Sequence, residues 1–381
     1  MLNMKYLFTN IEKLNVTPDL TSKRSDKTKR DKAKKSRPFL KHLHYFRGFA
    51  IFNIVIVHTW RLSQSNIAHS AADYVHYMNR IREILFHGST IYFLFISGFL
   101  FHYLSQNLKK KKYYKAKFKN VISPYLIISL LIIALESISF ENGRLVFESF
   151  FMDFMESVMM GTAQIQFWYI PFIVIVFIIS PLLLYIPNKA FALLTAFTFF
   201  MPLMGTRTGT DVTVFQFIYF MPVYILGMFT SMKYQIFKKY IEKYKYLLLM
   251  IFILSTVTPL VIQTHAVPFF LDIDLLESFY YLQKLSVTYL ILYLFIKYEN
   301  LDNPVLDLLA TYSFSIFFLH VLVYNATRRI LYAPEVLQHM SGVMIIPYSI
   351  FCVLLVLFLT LGLCMFLKLI FQRKSKYIIG V

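Results

Sequence analysis

HYFRGFAIFNIVIVHTW, residues 44–60, decides how the chain is read. Its length and apolar character are those of a membrane span, yet it carries Arg47 and His58. About 20 mostly apolar residues cross a hydrocarbon core of about 30 Å. An ionisable group inside such a segment costs free energy, so it faces the bundle interior and marks a site. Arg47 and His58 are eleven residues apart, which is about three helical turns and about 16 Å along one face. Both therefore line one groove, Arg47 near the inner mouth and His58 near the outer end.

Working outward, hydrophobic residues make up 57% of the 381, aromatic residues 18% and charged residues 15%. A soluble domain is about half apolar and a quarter charged; this chain is a polytopic membrane protein. The formal net charge of +19 would suggest nucleic acid for a soluble protein. Here the positive residues are sorted by side of the membrane instead, and no nucleic-acid partner is expected. Cys352 and Cys364 share the last apolar segment, too far apart along one helix for a disulfide. No thiolate or other metal site is expected. Residues 1–40, polar and lysine-rich, read as a disordered basic tail rather than a signal peptide, leaving the first span uncleaved. Residues 41–372 form one transmembrane domain, and 373–381 a short basic tail.

Ten apolar runs are candidate spans: 44–62, 84–106, 121–140, 167–186, 190–204, 215–231, 245–263, 279–297, 305–325 and 343–370. The expected fold is an all-α bundle of about ten transmembrane helices. With the N-terminus inside, 30 Lys and Arg fall on the cytoplasmic side, chiefly in the tail, KKKKYYKAKFK (109–119), KYQIFKKYIEKYK (233–245) and QRKSK (372–376). Seven fall outside, while Arg47 and Lys284 lie within spans. This asymmetry places both termini in the cytoplasm. The outer segment 140–166 is acidic, and Val146, Phe150, Phe151, Phe154 and Val158 recur at helical spacing, predicting a helix on the outer surface.

By the same rise per residue, Glu136 falls near the outer end of the third span and Trp168 and Tyr169 at the outer start of the fourth. Lys284 and His320 occupy the outer parts of the eighth and ninth. All share the level of His58, as a buried polar site open to the outer face requires. Each also has a plainer reading. Arg47 would anchor a helix end at the headgroups, His58 and His320 would be packing histidines, Glu136 and Lys284 an ion pair, and Trp168 and Tyr169 part of an interfacial aromatic belt. Ser97 and Gly98 in mid-span read either as close helix packing or as a kink beside a substrate tunnel. The lysine run after the second span attracts anionic lipid or holds a phosphorylated cytosolic ligand.

These residues together resemble the membrane acyltransferase-3 family. The likeness rests on an arginine–glycine at the inner end of the first span with a histidine eleven residues after the arginine. It is joined by FLFISGFLF (93–101), a basic run leading to VISPY (121–125), FWYIPF (167–172) and YSFSIFFLH (312–320), and covers residues 41–370. The resemblance implies O-acyl transfer, most often of acetyl, from cytosolic acyl-CoA across the cytoplasmic membrane to a hydroxyl of a surface glycan or lipid-linked sugar. It makes His58 the catalytic histidine and Arg47 a contact for the CoA part of the donor, with Lys112, Lys115, Lys117 and Lys119 assisting at its phosphates. Two departures stand out. An acidic residue common before the arginine is replaced by HLHYF with His44, and the basic run is all lysine where the family uses arginine.

The chemistry fits. A thioester is already activated, so the main task is to deprotonate an alcohol, and neutral imidazole suits that near neutral pH. His58 is the expected general base, oriented by Glu136, with His320 or Lys284 stabilising the oxyanion; an acyl-histidine intermediate is the alternative. Ser97 would line the donor's path, and Trp168, Tyr169 and Lys284 would face the acceptor. The competing classes are a transporter or flippase for a glycan or lipid-linked oligosaccharide, which needs no CoA, and a non-catalytic scaffold, which would tolerate loss of Arg47 and His58.

Overall fold

The computed structural model describes residues 38–60, 72–136, 138–141, 144–147, 150–203, 212–262, 275–337, 340 and 342–381. Six helices are long and apolar enough to cross a membrane among these residues, and a further pair bent by 80° would make seven. The six are Asp73–Leu104, Lys110–Leu135, Val214–Met232, Tyr234–Val261, Leu275–Lys297 and Gly342–Ile378. Every one of the ten expected ranges holds a helix.

In chain order, α1 (Lys41–Thr59) is followed by α2 (Ala72–Phe86), α3 (Thr90–Leu104) and α4 (Lys110–Lys117). A single π turn, Phe118–Ile122, joins α4 to α5 (Ser123–Glu136). The lysine run is therefore a helical extension of the third span rather than a loop. β1 (Ile138–Glu141) pairs antiparallel with β2 (Arg144–Phe147), with Glu141 opposite Arg144. The third apolar segment thus leaves the helix at Glu136, short of its expected end. Asn142-Gly143 is the dipeptide that favours a two-residue hairpin, and it explains why Val146 lies on a strand and not on the expected outer helix. That helix, α6, runs Phe150–Met160. Phe150, Phe154 and Val158 pack toward the core while Phe151 is 68% exposed, so the inward face is narrower than the spacing suggested.

α7 (Tyr169–Leu183), α8 (Asn188–Phe199), α9 (Val214–Met232), α10 (Tyr234–Ile262) and α11 (Leu275–Lys297) follow. The bent pair is α12 (Pro304–Thr311) and α13 (Ser313–Leu331), ahead of α14 (Pro334–Leu337), α15 (Gly342–Phe371) and α16 (Ser375–Ile378).

Close packing in a membrane relies on small residues, because lipid is as apolar as leucine. α3 and α9 show it twice over. A Cβ on Gly98 would run into the Tyr224 carbonyl, and one on Gly227 into the Phe95 carbonyl. Of the two readings of Ser97-Gly98, the structure takes packing, and α3 continues unbroken through it. Beside this crossing Ser180 and Tyr224 share a buried hydroxyl contact of 2.7 Å.

The end of α2 is held differently. Lys284 on α11, 1% exposed, donates to the carbonyls of Ile84 (3.3 Å) and Leu85 (2.9 Å) and to the Gln283 amide oxygen. A cation on last-turn carbonyls satisfies acceptors that the helix cannot.

Two outcomes follow from this packing. Gly98→Ala or Gly227→Ala should each cost about 1–3 kcal/mol through forced overpacking, lowering the melting temperature in detergent. Gly362→Ala, where nothing lies within 4 Å, should leave it unchanged. Lys284→Met should destabilise by about 1–3 kcal/mol by stripping the α2 carbonyls of their donor, seen as a lower melting temperature and faster proteolysis near residue 86.

Candidate functional site

The site is built where α12 and α13 cross α1. Gly48 makes room for it, since a Cβ there would meet the Leu306 carbonyl at 2.6 Å. Its neighbour Arg47 donates Nη2–H to the Ala310 carbonyl at 2.5 Å. That carbonyl belongs to the last turn of α12, immediately before the 80° bend. A guanidinium is suited to this place, because terminal carbonyls lack partners and carry the negative end of the helix dipole. Arg47 Nε–H, also buried, has no hydrogen-bond partner among the described residues, so the side chain keeps a donor for a ligand.

Beyond the bend α13 runs alongside α1 and carries His320 to His58, their ring centroids 5.4 Å apart and inclined at 50°. His320 is fully buried, and its Nδ1 lies 2.8 Å from the Ile316 carbonyl and 3.0 Å from that of Phe317. Carbonyls only accept, so Nδ1 carries the hydrogen, and in the neutral ring Nε2 holds a lone pair. That Nε2 is buried without a hydrogen-bond partner among the described residues. A buried polar atom left open beside a second histidine is the signature of a place where a ligand completes the bonding.

The loop before α7 closes this site. Gln166, 2% exposed, donates from Nε2 to Gln164 Oε1 at 2.7 Å and to the Phe317 carbonyl at 3.4 Å, the same carbonyl that His320 uses. Gly161 turns the chain there at φ +75°, and a Cβ would strike the backbone of Phe167 and Trp168. Trp168 and Tyr169 are 9% and 8% exposed, so they are core groups and not an interfacial belt. Trp168 packs on Phe220 at 5.3 Å, and Tyr169 sits edge-on to Phe317 at 5.8 Å. Phe317 in turn lies 6.5 Å from His320. The Ser97 side chain lies beside the Tyr169 hydroxyl.

At the opposite end of α1 Lys41 and two histidines find carboxylates from distant sequence. Lys41 pairs with Asp302 at 2.7 Å and His44 with Asp307 at 3.0 Å. His42 contacts Glu299 through Nδ1 at 3.0 Å and the Tyr234 hydroxyl through Nε2 at 3.1 Å. The Lys41 ammonium holds the Asp302 carboxyl below its ordinary value. Carboxylates missing from HLHYF are thus supplied by the segment around α12.

The remaining expected residues are dispersed. Lys117 Nζ lies 3.6 Å from the Phe177 ring centroid, and Lys119 Nζ 4.3 Å from that of Tyr377, whereas Lys112 and Lys115 are exposed. Lys284 serves the end of α2. The side chain of Glu136 lies outside the described residues. Gln164 and Gln166 carry no charge, so they do not stand out in the sequence as ionisable groups do; their position between an outer helix and FWY is the available signal. No group of three or more metal-ligating side chains occurs among the described residues.

No curated protein and no solved structure matches the chain. A family does: the acyltransferase domain of the acyltransferase-3 family matches residues 40–367, from the start of α1 to the last turn of α15. With both histidines, Arg47 and the bent helix pair inside that match, the chain belongs to the acyltransferase-3 family and is a multi-pass membrane acyltransferase.

Proposed function

We propose that the chain is an O-acyltransferase of the cytoplasmic membrane, with ten spans and both termini inside. It moves an acyl group, in the first instance acetyl, from cytosolic acetyl-CoA to a hydroxyl of a surface polysaccharide or lipid-linked sugar at the outer face. The observation that carries this reading is the His58–His320 pair, with its open Nε2, standing about 16 Å above Arg47 on one helix.

The acceptor oxygen attacks the thioester carbonyl carbon while its proton passes to the His58 ring. The carbon–sulfur bond breaks, and the CoA thiolate leaves with the proton that the His58 imidazolium returns. The products are an ester and free CoA, with no proton gained or lost. His320 contributes as a hydrogen-bond acceptor: with Nδ1–H spent on two carbonyls, neutral His320 has no donor left for an oxyanion. Its Nε2 lone pair instead takes a hydrogen bond from the acceptor hydroxyl or from the His58 ring as charge develops there. Lys284, bound to oxygens of α2 and Gln283, holds the outer framework. Arg47 offers its open Nε–H to the donor. Trp168 and Tyr169 wall the acceptor side, Ser97 stands beside Tyr169, and the exposed Lys112 and Lys115 meet the donor's phosphates, helped by Lys117 and Lys119 once their aromatic partners yield.

The test is transfer of radiolabelled acetyl from acetyl-CoA into envelope glycans by inverted membrane vesicles. His58→Ala at equal protein level should lose about 10²–10⁴-fold in rate, the range for a general base. Incorporation unchanged in that variant would remove histidine catalysis from the account. Arg47→Lys should raise the KM for acetyl-CoA and also lower thermal stability, because lysine cannot span the Ala310 carbonyl and a ligand together.

A further inference from the structure

One cleft is untouched by this chemistry. Between the lysine-rich start of α10 and the end of α11 lies an opening of about 180 Å³ lined by Lys238, Ile241, Glu242, Tyr293, Ile296 and Lys297. Its floor is apolar, with Ile241 buried and Tyr293 and Ile296 half-buried, and its charged rim is exposed. Lys245 donates to the Tyr293 hydroxyl at 3.3 Å, and Lys297 reaches over the same ring at 5.9 Å. The cleft therefore offers cations on both walls, one carboxylate and an aromatic face. α10 departs from helical geometry immediately beyond it, at Tyr244 (φ −105°, ψ 17°).

What lies above the cleft identifies its occupant. Only 11% of the apolar stretch of α10 is buried, against 61% for α9. On the side of the helix that carries Glu242, the residues seven, eleven and eighteen positions further on, Leu249, Ile253 and Leu260, are all exposed. A phosphate site for a soluble ligand has no need of an apolar track, whereas a phospholipid needs a polar head site continuous with one. Basic pockets between transmembrane helices on the cytoplasmic side are suited to anionic head groups.

We propose that this cleft binds the head group of an anionic phospholipid with a hydroxylated head, of the phosphatidylglycerol class. Lys238 and Lys297 flank the phosphate, and Glu242 accepts from a head-group hydroxyl. The acyl chains lie along the exposed face of α10. The site bears on the first span, because the end of α11 leads through Phe295, packed on Tyr45, to Glu299, paired with His42. A lipid that ties α10 to α11 therefore steadies the inner end of α1, next to Arg47.

The test uses the full chain, purified and delipidated in detergent, with melting temperature read against added phosphatidylglycerol, phosphatidylcholine, inorganic phosphate or coenzyme A. Phosphatidylglycerol should raise the melting temperature of the native chain and of Lys189→Gln/Lys374→Gln, which removes the same charge elsewhere. In Lys238→Gln/Lys297→Gln its apparent affinity should fall by about tenfold or more, and phosphatidylcholine should leave all three unchanged. An equal response in all three proteins would overturn the proposal in favour of diffuse attraction. A shift by coenzyme A or inorganic phosphate that depends on Lys238 and Lys297 would also overturn it, making the cleft a soluble-phosphate site. Should the cleft variant not fold, photoactivatable phosphatidylglycerol on the native chain decides: labelling within residues 234–250 and 290–298 supports the site, and labelling confined elsewhere refutes it. Loss of this lipid response leaves acetyl transfer by His58 untested, so the two readings fail separately.

Discussion

The bond from Arg47 to the Ala310 carbonyl is the constraint on which the site depends. A helix that stops inside a bundle leaves carbonyls without partners, and an apolar surround makes that costly. α12 stops there, and the chain turns through 80° into α13. One guanidinium answers the buried Ala310 carbonyl and so makes the break tolerable. Gly48 allows the approach by bringing α12 against the backbone of α1. The direction of α13, and hence the place of His320, follows from a contact three turns away at the other end of the groove.

A second layer of organisation comes from hydroxyl and amide groups that are spent on backbone. Gln166, His320 and the Phe317 carbonyl share bonds at one point, so the tautomer of His320 is decided by the helix it sits on. Sharing of this kind turns a versatile side chain into a specialised one. Imidazole in water offers either nitrogen, while His320 in its neutral form offers only Nε2.

Much of the fold was legible because membrane insertion imposes a simple rule. Apolar runs of sufficient length had to become helices, and each expected range holds one. The phase of Arg47 and His58 on one helix face was equally legible, since it depends on local geometry alone. What escaped was azimuth. Depth along a span follows from rise per residue, which put Lys284 at the level of His58, but the direction in which it points depends on which helix lies next to it. It faces α2. Partners drawn from distant sequence were hidden for the same reason: nothing near HLHYF announces Glu299, Asp302 or Asp307. The β1–β2 hairpin was a different matter, since Asn142-Gly143 advertised it and the apolar run through Phe140 concealed it.

The crossing of α1 with α12 and α13 has rungs at Arg47–Ala310 and His58–His320. The two strands of this ladder run in the same direction, eleven residues on one side and ten on the other. Deleting or inserting one residue between the rungs would turn everything beyond it by about 100° and displace it by about 1.5 Å. The segment Gly48–Val57 is therefore a ruler as well as a wall. Its residues can be exchanged for others of similar volume, but their number cannot change without parting the two imidazoles, and length should be held here more strictly than sequence.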